Sequence, residues 1–126
     1  MKADELRIGN LVIFSFNGKA DYHTIVAKDL KVMSTYPDNE EYYPVPLSKE
    51  ILISAGFVES KNSWFKKIFA ANIQDSITEF SVNLKSGSAC LSDSYEEIPA
   101  FLGKQIKFAH ELQNTWRYFT GVELIA

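Results

Sequence analysis

Disulfides, metal clusters and membrane spans are all missing from the ways this chain can hold itself together. One cysteine, Cys90, excludes an internal disulfide. A lone thiol without a secretion signal reads as a small reduced hydrophobe of the cytosol. Only two histidines occur, His23 and His110, and they are far apart, so no zinc spacing can be drawn. The N-terminus, MKADELRIGN, has no apolar stretch before its charges, and no window approaches the roughly 18 apolar residues of a membrane span. The expectation is a soluble, cytoplasmic chain with no membrane association, no metal and no cofactor. Positive charge is also short, with 13 Lys and Arg against 16 Asp and Glu. That balance argues against a dominant phosphate-backbone footprint while leaving room for a local basic patch. A Gly-rich phosphate loop, a nucleophile elbow and an HExxH pair are absent. The paired acids Glu40-Glu41 and Glu96-Glu97 are sequence neighbours in loops, where consecutive side chains diverge. No catalytic residue is assigned, and the balance falls against an enzyme.

What is present is an ordinary globular composition. The chain has 126 residues, 46% of them apolar and 23% charged, enough for one domain with a single core. Nine Phe and six Tyr bring the aromatics to 13%, which points to a β-rich core.

The fold class expected is α+β. Leu6, Ile8, Val12, Phe14 and Phe16 keep a period of two interrupted at Gly9-Asn10, and Asn17-Gly18 then asks for a tight hairpin. The return strand begins near Tyr22, and Leu30 to Thr35 reads as a third short strand. These make a small twisted antiparallel sheet or open barrel over residues 1–36. Three prolines and an acidic run make residues 37–46 a linker. Residues 47–126 then carry a short helix, a second antiparallel sheet and a long C-terminal helix packed on the sheets. The short helix, Lys49 to Ala55, has Ser48 as its cap and Gly56 as its exit. Alternation predicts FVES and WFKKIFA as a hairpin, followed by ITEFSVNL and SACLS, in a sheet with one wetted face. Ile68 to Ser76 reads as strand then loop, Asp93 to Glu97 as an acidic turn, and VELI as a terminal strand or docked tail.

The long helix spans Lys104 to Gly121. Phe108, Ala109, Leu112, Trp116 and Phe119 fall on one stripe, the pattern of a helix laid on a sheet. Beside it His110, Gln113, Asn114 and Arg117 share a flank by their spacings of three and four. Two readings are open for that flank. It is either a polar edge that hydrogen-bonds neighbouring loops, or a ligand-binding site in which Arg117 contacts an anion and the other three supply hydrogen bonds.

LRIGN at 6–10 with Val12, the PVPLSKEIL-x-x-x-GF pattern at 44–57, and HELQN at 110–114 followed by Thr120-Gly121 and Glu123-Leu124 carry a resemblance. Over most of its length the chain resembles a family of short proteins of Bacteroides-type bacteria and their phages and prophages. The resemblance implies a mobile-element context and transfers no catalytic residue. The functional expectation is a non-enzymatic phage or prophage accessory protein that binds a host protein or a small anionic, nucleotide-like ligand. The alternative is a nucleic-acid-binding module using the N-terminal strands with Lys61, Lys66, Lys67, Lys104 and Lys107. A small hydrolase or transferase built on His110 stands third. Exposed sheet edges make a homodimer by edge pairing a further expectation.

Overall fold

Strands β1 (Leu11–Phe16) and β2 (Lys19–Thr24) are joined by Asn17 and Gly18, whose φ angles of 51° and 79° are both positive. A two-residue turn of that kind matches the right-handed twist of its strands, which is why Asn-Gly sets the register so firmly. The pairing runs without a bulge from Leu11 opposite Thr24 to Phe16 opposite Lys19. The computed structural model describes residues 1–70, 77–93 and 100–125. By internal contacts the chain divides into two units, residues 1–46 with 108–125 and residues 47–107.

In the first unit, the segment expected as a third strand is helix α1, Ala27–Thr35. The Asp29 carboxylate accepts the Val26 N–H at 2.8 Å, which fixes the helix N-terminus from three residues inside. Asp29 and Met33, four apart, are both buried. Val32 and Thr35 are β-branched, but that preference is a weak prior against a capped start and an apolar face at helical spacing. The third strand is β3, Tyr42–Pro44, inside the segment expected to be a linker. It pairs antiparallel with β1 and gives an open sheet of order β2-β1-β3, so these strands close no barrel. Pro44 is tolerated because β3 is an edge strand, where a missing N–H breaks no ladder on its outer side. Leu6, Val12, Ile25, Met33 and Tyr42 form the core here, with Phe14 and Leu30 packed against it.

The C-terminal helix α3 also belongs to this unit and packs against β1. It spans Ala109–Thr120, so it begins five residues later than the sequence pattern suggests. Phe108 is extended and bridges to Pro46, and its N–H donates to Glu111 Oε1 at 3.1 Å. Glu111 therefore marks the third helical position, and nothing equivalent starts a helix at Lys104. Gly121, with φ of 76°, closes the helix as expected.

The second unit opens on helix α2, Lys49–Ser54. Ser48 Oγ accepts the Ile51 N–H at 3.2 Å, and after Gly56 the Phe57 N–H returns to Leu52 O at 2.9 Å. Ile51, Leu52, Ala55 and Phe57 are buried. A five-stranded antiparallel sheet follows, in chain order throughout: β4 (Val58–Glu59), β5 (Trp64–Ala70), β6 (Ile77–Asn83), β7 (Ala89–Asp93) and β8 (Ala100–Phe101). Its apolar face carries Phe65, Phe80, Val82 and Ala89. The acidic turn expected at Asp93 to Glu97 and the loop expected to end at Ser76 lie outside the described residues beyond Asp93 and Ala70. No helix among the described residues is long and apolar enough to cross a membrane.

Candidate functional site

Of the two readings open for the flank of α3, the hydrogen bonds within the chain match the polar edge. The buried face of α3 is Ala109, Leu112, Gln113 and Trp116, with His110 buried beside it. It is rotated from the expected stripe so that a glutamine sits inside. Gln113 Oε1 accepts the Leu11 N–H at 2.8 Å, while its Nε2 donates to Gly9 O at 3.2 Å and Leu124 O at 3.0 Å. The first bond extends the sheet ladder where β3 leaves β1, and the third docks the C-terminal tail. Both amide protons are thereby spent within the chain.

Asn114 Oδ1 accepts from Arg7 Nε at 2.9 Å and from Asn10 Nδ2 at 2.8 Å. Arg7 also pairs with Glu123, NH1 to Oε1 at 2.6 Å, and this hydrogen bond holds the Glu123 carboxyl below its ordinary range. Arg117 donates to Gly121 O and lies 3.5 Å from Glu123 Oε1, so its charge is shared with the same acid. His110 is buried with its ring stacked at 5.9 Å on Phe108. The structure thus brings Gln113, Asn114 and Arg117 into one clasp with Arg7, Asn10 and Glu123, and sets His110 inward. Arg7 and Asn10 carry no catalytic or ligand signature in the sequence. They lie in LRIGN, and it is LRIGN, HELQN and EL, three stretches far apart in the chain, that meet here.

A second polar cluster lies in the first unit. His23 Nε2 is 2.9 Å from Asp29 Oδ2, and the Tyr42 hydroxyl donates to Asp29 Oδ1 at 2.7 Å. Burial alone would raise the Asp29 carboxyl. The Val26 N–H and the His23 and Tyr42 partners outweigh it, and the group ends below its ordinary 3.8. Burial, and then the bond to Asp29, push the Tyr42 phenol up. A carboxylate whose folded pKa is depressed stabilises the fold above its unfolded pKa and loses that contribution as pH falls through the folded value. Asp29→Asn is therefore expected to cost about 1–2 kcal/mol at neutral pH, because one charged acceptor is lost. The gap from the parent should close on acidification below 3.8. Urea melts at several pH values read this directly, and a gap that widens in acid would refute it.

A recess with room for a ligand lies on the polar face of the five-stranded sheet, in the second unit. Strand alternation puts Trp64 and Lys66 of β5, Glu79 and Ser81 of β6, and Cys90 and Ser92 of β7 on one side. In the pairing Lys66 stands opposite Ser81, and Ser81 opposite Cys90. The loop from Ser60 to Asn62 rims this face, and together these residues line a recess of about 320 Å³. Its loop is held by Asn83, whose Nδ2 donates to Asn62 O at 3.0 Å. Lys66 Nζ lies 3.3 Å from Glu79 Oε1, and burial pushes the Cys90 thiol up, which keeps it protonated. Alternation identified this face as wetted. Which side chains form a hollow depends on the loop and the sheet twist, and periodicity carries neither.

Lys66, Glu79 and Ser60 also line a neighbouring recess of about 580 Å³ with the exposed Val58 and Ile68. Lys67, which also borders this recess, donates to Ala55 O at 2.7 Å, at the end of α2. Among the described residues no group of three His, Cys, Asp or Glu is placed to hold a metal ion. Compared with known proteins, the chain matches no family model, and no curated protein and no solved structure gives a significant match.

Proposed function

We propose that this chain is a non-enzymatic accessory protein of phage or prophage type that binds a small anionic ligand with a planar ring, of nucleotide-like chemistry. The binding place is the recess bordered by Trp64, Lys61 and Lys66. The observation that carries the reading is the composition of that recess. An indole offers a stacking surface, two ammonium groups offer charge, and Ser60, Asn62, Ser81 and Ser92 offer neutral hydrogen bonds. Its volume of about 320 Å³ lies at the small end of ligand pockets, which suits a mononucleotide-sized molecule better than a larger cofactor. Glu79 tempers the site: its carboxylate already engages Lys66 and competes with an incoming anion for that ammonium, so weakly charged rings gain little. Binding is favoured over catalysis because the buried Cys90 thiol stays protonated and the Glu79 carboxylate of the lining is engaged by Lys66.

Titration with a panel of nucleoside mono-, di- and triphosphates, followed by tryptophan fluorescence and calorimetry, tests this. The expected result is quenching by at least one member, abolished in Trp64→Ala although Trp116 still emits. Lys66→Ala should weaken binding about ten-fold, the loss of one charge-assisted contact. Binding that is unchanged in both variants, or a panel with no binder, removes the reading.

The host-protein form of the reading has its own support in Val58 and Ile68, which are 70% and 61% exposed on the same sheet. Large apolar side chains grouped at a recess are a common mark of a protein contact.

A further inference from the structure

We infer that the outer edge of β2 is a self-association surface, through which two copies of this chain join their three-stranded sheets into one six-stranded sheet about a twofold axis at Tyr22. Among the described residues the two sheets have four edges, β2 and β3 in one and β4 and β8 in the other. Three of these are blunted in the usual way. β3 is three residues long and carries Pro44, and β4 and β8 are two residues each. β2 alone is long, at six residues, and it has neither a proline nor a bulge.

The hydrogen-bonding phase decides which of its groups are free to pair. Phe16 and Lys19 flank a two-residue turn and so form a bonded pair, and Ile25 N–H donates to Asn10 O at 2.8 Å at the far end. Lys19, Asp21 and His23 therefore bond inward to β1. Ala20, Tyr22 and Thr24 present their N–H and C=O groups outward, and all three residues are exposed.

Side-chain charge then selects the occupant and the register. With the axis at Tyr22, Asp21 of one copy stands opposite His23 of the other, twice, and Ala20 stands opposite Thr24. His23 is the imidazole that already leans on Asp29, so it meets carboxylates on both sides. Moving the axis to Asp21 sets Asp21 against its own copy and Lys19 against His23. Moving it to His23 sets two imidazoles together. An axis at Ala20 pairs Lys19 with Asp21, but the overlap then runs into the turn and shortens the ladder. On the other face, the Tyr22 register makes one continuous row from two in-register triplets. Each triplet is Tyr43, Ile13 and Tyr22, with Ile13 opposite both tyrosines across the strands. Tyr22 and Tyr43 are 66% and 45% exposed in the single chain, and aromatic cross-strand neighbours are among the pairs that stabilise a sheet most.

Sedimentation equilibrium over micromolar to millimolar concentrations should show monomer and dimer in exchange. Ala20→Pro removes an outward N–H without touching the bonds to β1, and should leave a folded monomer by circular dichroism. Asp21→Lys should weaken the dimer about ten-fold, since two carboxylate–imidazole pairs are lost. Mild oxidation of single-cysteine variants in a Cys90→Ser background reads the register. Tyr22→Cys should crosslink faster than Ala20→Cys or Asp21→Cys, because only residue 22 faces itself at a spacing a disulfide can close. A monomer at every concentration, or a dimer indifferent to Ala20→Pro, overturns the surface. Fastest crosslinking at position 20 or 21 overturns the register.

Discussion

Gln113→Leu is expected to destabilise the fold by about 3–5 kcal/mol, although it keeps the side chain's volume and adds no strain. The substitution strands three groups at once: the Leu11 N–H, and the carbonyls of Gly9 and Leu124. Each buried polar group left without a partner costs about 1–3 kcal/mol, and Gln113 is only 2% exposed, so little water is at hand to replace the amide. Against a total stability of about 5–15 kcal/mol for a chain of this size, that is a large share. Asn114→Ala provides the comparison. Arg7 sits at the open edge of the clasp, where water can take over, whereas the fully buried Asn10 loses the acceptor of its Nδ2, so one stranded group and about 1–3 kcal/mol are expected. Urea denaturation of the two variants measures both. A Gln113→Leu protein as stable as the parent would turn the balance from the polar-edge reading of the flank to the ligand-binding one.

The clasp shows where the sequence stops being legible. Spacings of three and four grouped Gln113, Asn114 and Arg117, which the clasp uses, with His110, which turns inward, because helical periodicity is local. Their partners are not local: Arg7 lies 107 positions from Asn114 and 116 from Glu123. Nothing in a single sequence distinguishes an arginine that will reach across the fold from one that will face water. Gln113 was legible as polar and as part of the helix. Its burial was not, because it depends on Leu11 having lost a strand partner where β3 turns away at Pro44 and Val45.

The same division runs through the secondary structure. α2 is set by Ser48, Gly56 and an apolar stripe within nine residues, and the first hairpin by Asn17-Gly18; in each, every determinant lies inside a short window. Leu30 to Thr35 reads as a short strand after Lys28-Asp29, whereas one carboxylate, Asp29, starts a helix there and also anchors His23 and Tyr42. A residue that caps a helix and serves a buried cluster leaves no more trace in the sequence than a surface acid. The recess in the second unit was half legible, since alternation put Glu79, Ser81 and Asn83 on the wetted face. Ser81 and Asn83 are nevertheless buried. Asn83 explains why at least in part: its carboxamide ties down the loop at Asn62 and accepts the N–H groups of Lys85 and Ser86 at 3.0 Å each.

Trp116→Ala is expected to cost about 3–5 kcal/mol, the range for deleting a buried indole from a packed site. Trp116 is 3% exposed and occupies the same face of α3 as Ala109 and Leu112, seven and four residues before it. Burying a side chain of this size removes about 150–250 Å² from water, worth about 4–6 kcal/mol as an upper bound before unfolded-state compaction is allowed for. Truncation also leaves a cavity that a helix held by the Gln113 and Asn114 bonds cannot collapse to fill, which places the cost in the upper part of the range. For a chain of this length each kcal/mol lowers the melting temperature by about 3–5 °C, so a fall of about 10–25 °C is expected. Two neighbours calibrate the measurement. Tyr118 is 83% exposed and Tyr118→Ala should be nearly silent, whereas Phe119, at 37%, should lose less than about 1 kcal/mol. If the Trp116 and Tyr118 variants melt together, the indole is not part of the core. The face of α3 that carries it would then have to be read as a surface.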